Sequence, residues 1–213
     1  NTTANDLWLG NIAAGGGDDK DYRFTTTGTN TGDSIDVSGT GGVFTADMAY
    51  NPFTNKLWQV NVGGDNCIYE LDPVGLALTG NKICPAFGTS QRGLAYDPVS
   101  DTFFAGSWND YIINRFRPDG TLLSAVDVEL EISGLAYNPV TQHLFVLSNT
   151  DSTTPGTTGS YDVTVLDAST PGAYTVVGGF NLMNGATPVF GDTFGQAGLE
   201  IDCSGNLWVV DQD

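Results

Sequence analysis

The chain has 213 residues, 40% hydrophobic and 11% aromatic, enough apolar material for one large all-β domain or two small ones and too much for an unstructured tail. Only 7 Lys and Arg stand against 25 Asp and Glu, a formal net charge of −18, and such a field repels phosphate backbones and anionic lipid, so nucleic acid is not an expected partner. No apolar run is long enough to cross a bilayer as a helix, so no membrane insertion is expected.

The start, Asn1-Thr2-Thr3-Ala4-Asn5-Asp6, has neither the basic nor the apolar region of a signal peptide. An apolar strand, Leu7-Trp8-Leu9-Gly10, then runs into the loop Gly15-Gly16-Gly17-Asp18-Asp19-Lys20-Asp21. Further along, one phrase recurs: Asp47-Met48-Ala49-Tyr50-Asn51-Pro52, Gly93-Leu94-Ala95-Tyr96-Asp97-Pro98 and Gly134-Leu135-Ala136-Tyr137-Asn138-Pro139. A weaker copy is Gly198-Leu199-Glu200-Ile201-Asp202-Cys203. Each copy is followed, after a turn, by an apolar strand. The aromatic anchors of these strands are Trp8, Trp58, Phe104, Phe145 and Trp208, spaced by roughly 40–60 residues, which brackets the period of a propeller blade.

Two more strand-like runs complete each unit: 67–71 and 76–78, then 111–116 and 121–126, then 161–166 and 174–177. Proline presets φ in the connecting turns and glycine supplies the reversal. Asn-Pro or Asp-Pro ends the first strand because the ring has no N–H for the next ladder bond. Four strands per unit without an amphipathic helix predict an all-β fold, a β-propeller of antiparallel four-stranded blades with about four and a half blades present. A string of unrelated hairpins or a tandem sandwich is the competing reading, and it leaves the repeated grammar without a cause. Residues 1–213 are read as one domain, with approximate blades 1–44 (partial), 45–90, 91–131, 132–195 and 196–213 (partial).

This grammar resembles the secreted bacterial propellers that include the YVTN and NHL repeat proteins and the lactonase-like and esterase-like propellers. The resemblance covers nearly the whole chain and implies the fold; such propellers host binding, scaffolding and several chemistries. With strands lettered A to D from the inside, the chain reads B-C-D, three full blades, then A-B. The unmatched B strands lead to the expectation of a larger propeller with further blades or domains of the same polypeptide.

Cys67 and Cys84 fall opposite each other in one hairpin, which predicts a cross-strand disulfide in an exported protein, with two buried thiols as the alternative. Cys203 stands alone in a turn. In such folds the face carrying the B–C and D–A loops is the usual site of function. The residues leaving the B strands toward it are Asn11, Asn61, Ser107, Ser148 and Asp211, and the loops add Asp65, Trp108 and Asp110. Asp47, Arg92 and Glu131 enter from the D–A side. Small polar residues at strand ends are also simply turn formers, and Trp108 either stacks on a sugar ring or covers the core edge.

Calcium is the candidate ion, at Asp18, Asp19 and Asp21 or at Asp211-Gln212-Asp213, because glycine lets carbonyls turn toward a cation. Neither segment follows the Asp-x-Asp-x-Asp-Gly spacing, and a solvated loop is the plainer reading of each. His143 and three scattered cysteines give no zinc spacing, and no nucleophile elbow or phosphate loop occurs. The sequence is therefore read as a non-catalytic, secreted or cell-surface propeller domain for binding a protein or glycan, or for scaffolding. A hydrolase or lyase with a carboxylate- or calcium-lined mouth (Asp47, Glu131 and Asp211) is the first alternative, and a surface-layer or filament subunit the second.

Overall fold

The computed structural model describes residues 6–11, 18–40, 44–85, 87, 91–107, 109–148, 161–184, 187–188 and 196–211, with main chain only at 184, 187, 188, 196, 197 and 211. The chain enters as an antiparallel sheet of β1 (Asp6–Gly10), β2 (Lys20–Thr25) and β3 (Asn30–Asp36). A four-stranded meander follows: β4 (Phe44–Asn51), β5 (Lys56–Val62), β6 (Ile68–Asp72) and β7 (Ala77–Ile83). The next is β8 (Gly93–Asp97), β9 (Thr102–Gly106), β10 (Ile112–Phe116) and β11 (Leu122–Asp127). The third is β12 (Ile132–Asn138), β13 (His143–Ser148), β14 (Val163–Thr170) and β15 (Ala173–Phe180). A short ladder of β16 (Met183–Asn184) with β17 (Thr187–Pro188) precedes the hairpin β18 (Gln196–Ile201) and β19 (Leu207–Asp211). Among the described residues the only helical turn is the 3-10 segment Ser38–Thr40. The fold is a β-propeller.

The repeated phrase acts through its turn. Asn51, Asp97 and Asn138 each accept, at Oδ1, the backbone N–H two residues on, from Phe53, Val99 and Val140, all at 2.9 Å. The chain then reverses through a left-handed residue, Asn55, Asp101 or Gln142. This local closure sets one register in all three blades: Asn51 opposite Lys56, Asp97 opposite Thr102 and Asn138 opposite His143. A one-residue slip would turn each inner strand's apolar set to the wrong face.

The sheets pack face to face, and four successive interfaces each have their own core. Ile35 and Val37 of the first sheet meet Leu57 and Leu71 of the second. Trp58, Val60 and Ile68 meet Leu94, Phe103 and Phe116. Phe104 and Ile113 meet Leu135, Leu144 and Val146. Ala136, Leu147 and Val163 meet Leu199, with Leu207 and Val209 against them. Full burial of an aromatic such as Phe103 or Phe104 stabilises by about 1.5–3 kcal/mol. Buried between these layers, Arg115 is paired: it lies 2.8 Å from the equally buried Asp97, bonds Ser100 and Thr102, and sits over the Phe104 ring.

Toward the axis, β4, β8, β12 and β18 adjoin one another, and β18 also meets β4. Four inner strands thus close a ring, where the unmatched B strands led to the expectation of an open arc of a larger propeller. Glycine permits the closure: a Cβ on Gly93 would lie 2.6 Å from Leu135 Cγ, and one on Gly134 would lie 2.9 Å from the Leu199 nitrogen. The β1–β3 sheet packs outside this ring, with β1 as its inner edge.

Candidate functional site

Aligned on the repeated phrase, the four inner strands carry Asp47, Gly93, Gly134 and Gly198 at one position. The single carboxylate fills the room left by three absent side chains. Asp47 is buried, and its oxygens accept four backbone N–H groups, one from each inner strand. Met48 (3.0 Å) and Leu199 (3.3 Å) donate to Oδ1, and Leu94 (3.0 Å) and Leu135 (2.9 Å) donate to Oδ2. Burial pushes the Asp47 carboxyl well above its ordinary range, while the N–H groups of Leu135 and Leu94 pull against that shift. The arrangement is a backbone anion nest occupied by the protein's own carboxylate. It blocks the propeller axis.

The open space lies to one side. Between β1 and the β18–β19 hairpin there is a cavity of about 430 Å³ where the other blade interfaces have a packed core. Its walls are residues 7–11 of the first strand and its exit, 45–48 of β4, 198–200 of β18 and 208–210 of β19, with Leu57. Trp8 and Trp208 both line it. They occupy the anchor position that Trp58 and Phe104 hold in the middle blades, where those rings are core. The Trp208 indole N–H donates to Asp202 (3.1 Å), which fixes that ring. Trp8 Nε1 and Thr45 Oγ1 are buried without a hydrogen-bond partner, as is Trp58 Nε1 at the matching anchor of the next blade.

Glu200 joins Asp47 as an acid of this cavity. It stands where the other copies of the phrase have alanine, directly opposite Trp208 in the ladder. One of its oxygens accepts the Ile201 N–H at 2.9 Å. Burial pushes its carboxyl up from the ordinary value. Among the described residues, no Lys, Arg or His side chain lines the cavity.

Of the residues the sequence singles out, Asn11 and Asp47 share this cavity. The others are spread over separate strand ends and loops. Asn61, Ser107 and Ser148 are buried where their strands end. Asn61 donates to Thr40 Oγ1 (2.9 Å), Ser107 accepts from the Asn109 N–H (3.0 Å), and the Ser148 N–H bonds the Asp162 carbonyl (2.9 Å). Asp110 accepts the Ile112 N–H (3.3 Å). Asp65 is bound to Lys82, Tyr69 and the Cys67 N–H. Arg92 is half-buried just before β8, and burial lowers its guanidinium to about 10. Glu131 sits half-buried ahead of β12. Asp211 ends β19 opposite Gln196, with its side chain outside the described residues, as is all of Trp108 and the pair Gln212 and Asp213.

The expected disulfide is present between Cys67 and Cys84, whose Cα atoms are 4.3 Å apart, and Cys203 is exposed in the β18–β19 turn. Asp65 stands beside that bridge, close enough to complete a three-ligand group by geometry, but sulfurs joined to each other have no thiolate to offer a metal. The acidic loop splits its carboxylates. Asp18 is exposed, hydrogen-bonded by Tyr22 and by Asn11 (3.0 Å), and these bonds hold its carboxyl low. Asp19 has a left-handed backbone. Asp21 turns inward, fully buried, and accepts both its hydrogen bonds from the Gln59 amide (3.0 and 2.9 Å). Burial pushes it up to about 7, with Gln59 pulling the other way.

No family model and no curated protein sequence matches the chain. Among solved structures it is similar to a chain in the crystal structure of a nidogen/laminin complex, with a TM-score of 0.61 and 15% identity. That alignment covers 99% of this chain and 69% of the other. A chain in the crystal structure of the mitotic checkpoint complex is similar at a TM-score of 0.56 and 12% identity, over 97% of this chain and 56% of the other. At such identities the likeness carries the propeller fold alone.

Proposed function

We propose that this chain is a non-catalytic, extracellular β-propeller domain that binds a ligand or partner within a larger secreted or surface protein. The repeated phrase is the ground for setting it beside the secreted YVTN and NHL repeat propellers, and the disulfide and the acidic, lysine-poor composition support an oxidising, external setting. Among the described residues no helix is long and apolar enough to cross a membrane. The observation that carries the binding reading is the cavity beside Trp8 and Trp208: the four other interfaces between sheets have packed cores, and this one is open. A glycan array and a pull-down against secreted proteins, each run with the wild type and with Met48→Trp to fill the cavity, test it. The wild type is expected to capture a ligand that the variant loses. Capture unaffected by the variant would move the site elsewhere, and no capture at all would leave a scaffold.

A second reading has one observation behind it. Asp47 and Glu200 line the same cavity with carboxyls pushed up by burial, the kind of pair that general acid–base hydrolysis uses. Both Asp47 oxygens are already engaged by backbone N–H groups, which counts against it. Turnover of a lactone, ester or polysaccharide panel, abolished by Glu200→Gln, would establish the hydrolase.

A further inference from the structure

We infer that the cavity between β1 and the β18–β19 hairpin is a site for an organic ammonium ion, a protonated amine carried on an apolar body. This rests on the cavity being the binding site and adds the chemistry of its ligand. An ammonium group needs two things from a pocket: a negative charge it can approach and an aromatic face beside it. Glu200 supplies the charge from within the cavity, and its register partner Trp208 stands across the ladder from it. Trp8 also lines the cavity, from the opposing edge strand, with its side chain packed against the Ile35, Val37, Leu57 and Leu71 core.

Among the described residues the lining side chains include no Lys, Arg or His, and the N-terminal ammonium group of the chain already acts on Glu200, pulling against the effect of burial. Two further acids stand behind them, both with carboxyls pushed up by burial. Asp47 closes the inner end, and Asp21 Oδ1 would lie 3.1 Å from a Cβ built on Gly10 in the wall. A low-dielectric recess lined by acids concentrates cations and excludes anions. Apolar side chains such as Leu7, Leu9, Met48 and Val210 form the rest of the lining and suit the ligand's body rather than its charge.

The test is calorimetric titration of the whole chain with 2-phenylethylammonium, against 2-phenylethanol as neutral isostere and 3-phenylpropionate as anion. The ammonium is expected to bind about tenfold or more tighter than the alcohol, a difference of one ion pair or cation–π contact, and the anion not at all. Glu200→Gln should remove that preference while leaving the alcohol's affinity unchanged, and Trp208→Leu should weaken the ammonium with Glu200 still in place. A circular dichroism melt confirms that each variant is folded, and either variant alone is decisive. Equal binding of ammonium and alcohol would overturn the ammonium inference and keep the cavity as the site. So would a preference that survives in the folded variants. Absence of saturable binding by all three probes would overturn both.

Discussion

Replacing Asp47 by alanine strips one carboxylate from four backbone donors at once. Each buried N–H left without a partner costs about 1–3 kcal/mol. Two effects reduce the total: water from the adjoining cavity can reach part of the nest, and a buried charge is removed. A net loss of about 2–4 kcal/mol follows, which for a domain of this size lowers the melting temperature by about 4–16 °C. Asp47→Asn should be nearly as damaging, because its NH2 group points donors at donors and leaves a single oxygen for the N–H groups. Urea unfolding followed by tryptophan fluorescence gives the free energies. A small carboxylate offers a direct check, since formate in the buffer should restore part of the loss in Asp47→Ala and leave the wild type unchanged. An Asp47→Ala protein within about 1 kcal/mol of the wild type would refute the axial nest as a stabilising element.

Asp21 carries a pH signature. Its folded carboxyl, pushed by burial up to about 7, lies above the ordinary carboxylate value. Its favourable contribution is therefore complete below pH 4 and is lost as pH rises through 7. Asp21→Asn keeps a hydrogen bond to Gln59 and offers a donor to the unpartnered Gln59 Oε1. It should be more stable than the wild type at pH 8 by about 1–3 kcal/mol, with the gap narrowing toward pH 4; parallel urea-unfolding profiles across that range would contradict this. Reduction of the Cys67–Cys84 bridge, which closes a loop with a sequence separation of 17, should cost about 3 kcal/mol, seen as a lower melting temperature in dithiothreitol and absent from a Cys67→Ser, Cys84→Ser double variant. Arg115→Ala leaves the Asp97 carboxylate buried without its cation and should cost about 3–5 kcal/mol; double replacement with Asp97→Ala should recover much of it in the same unfolding assay.

Features written in local chemistry were legible in the sequence. The Asn51, Asp97 and Asn138 turns depend on residues two to four positions away, so their repetition was enough to set strand order and blade period. The cross-strand bridge needed only the midpoint of one hairpin. Features that depend on neighbours across the axis were not legible in the same way. Asp47 was singled out only as a residue entering from the D–A side, because its four donors come from strands spread over most of the chain. Glu200, the odd member of an alanine column, and the Trp8–Trp208 cavity were missed, because an anchor position that is core in the middle blades becomes a wall where the first sheet meets the hairpin. Asp21 reads as part of an acidic loop until its partner is found 38 residues away at Gln59. Asn61, Ser107 and Ser148 behave as strand-end residues, each bonded to its own surroundings.

The lone aspartate among three glycines has a consequence for anyone averaging the blades into a consensus. Four glycines at that level would leave the converging N–H groups facing an empty shaft. Four aspartates would crowd like charges into a space sized for one. Neither homogeneous version satisfies the axis, so the units cannot drift toward identity or be shuffled freely. Exactness of repetition is limited here from the centre outward, and the blade that breaks the pattern is the one the other three require.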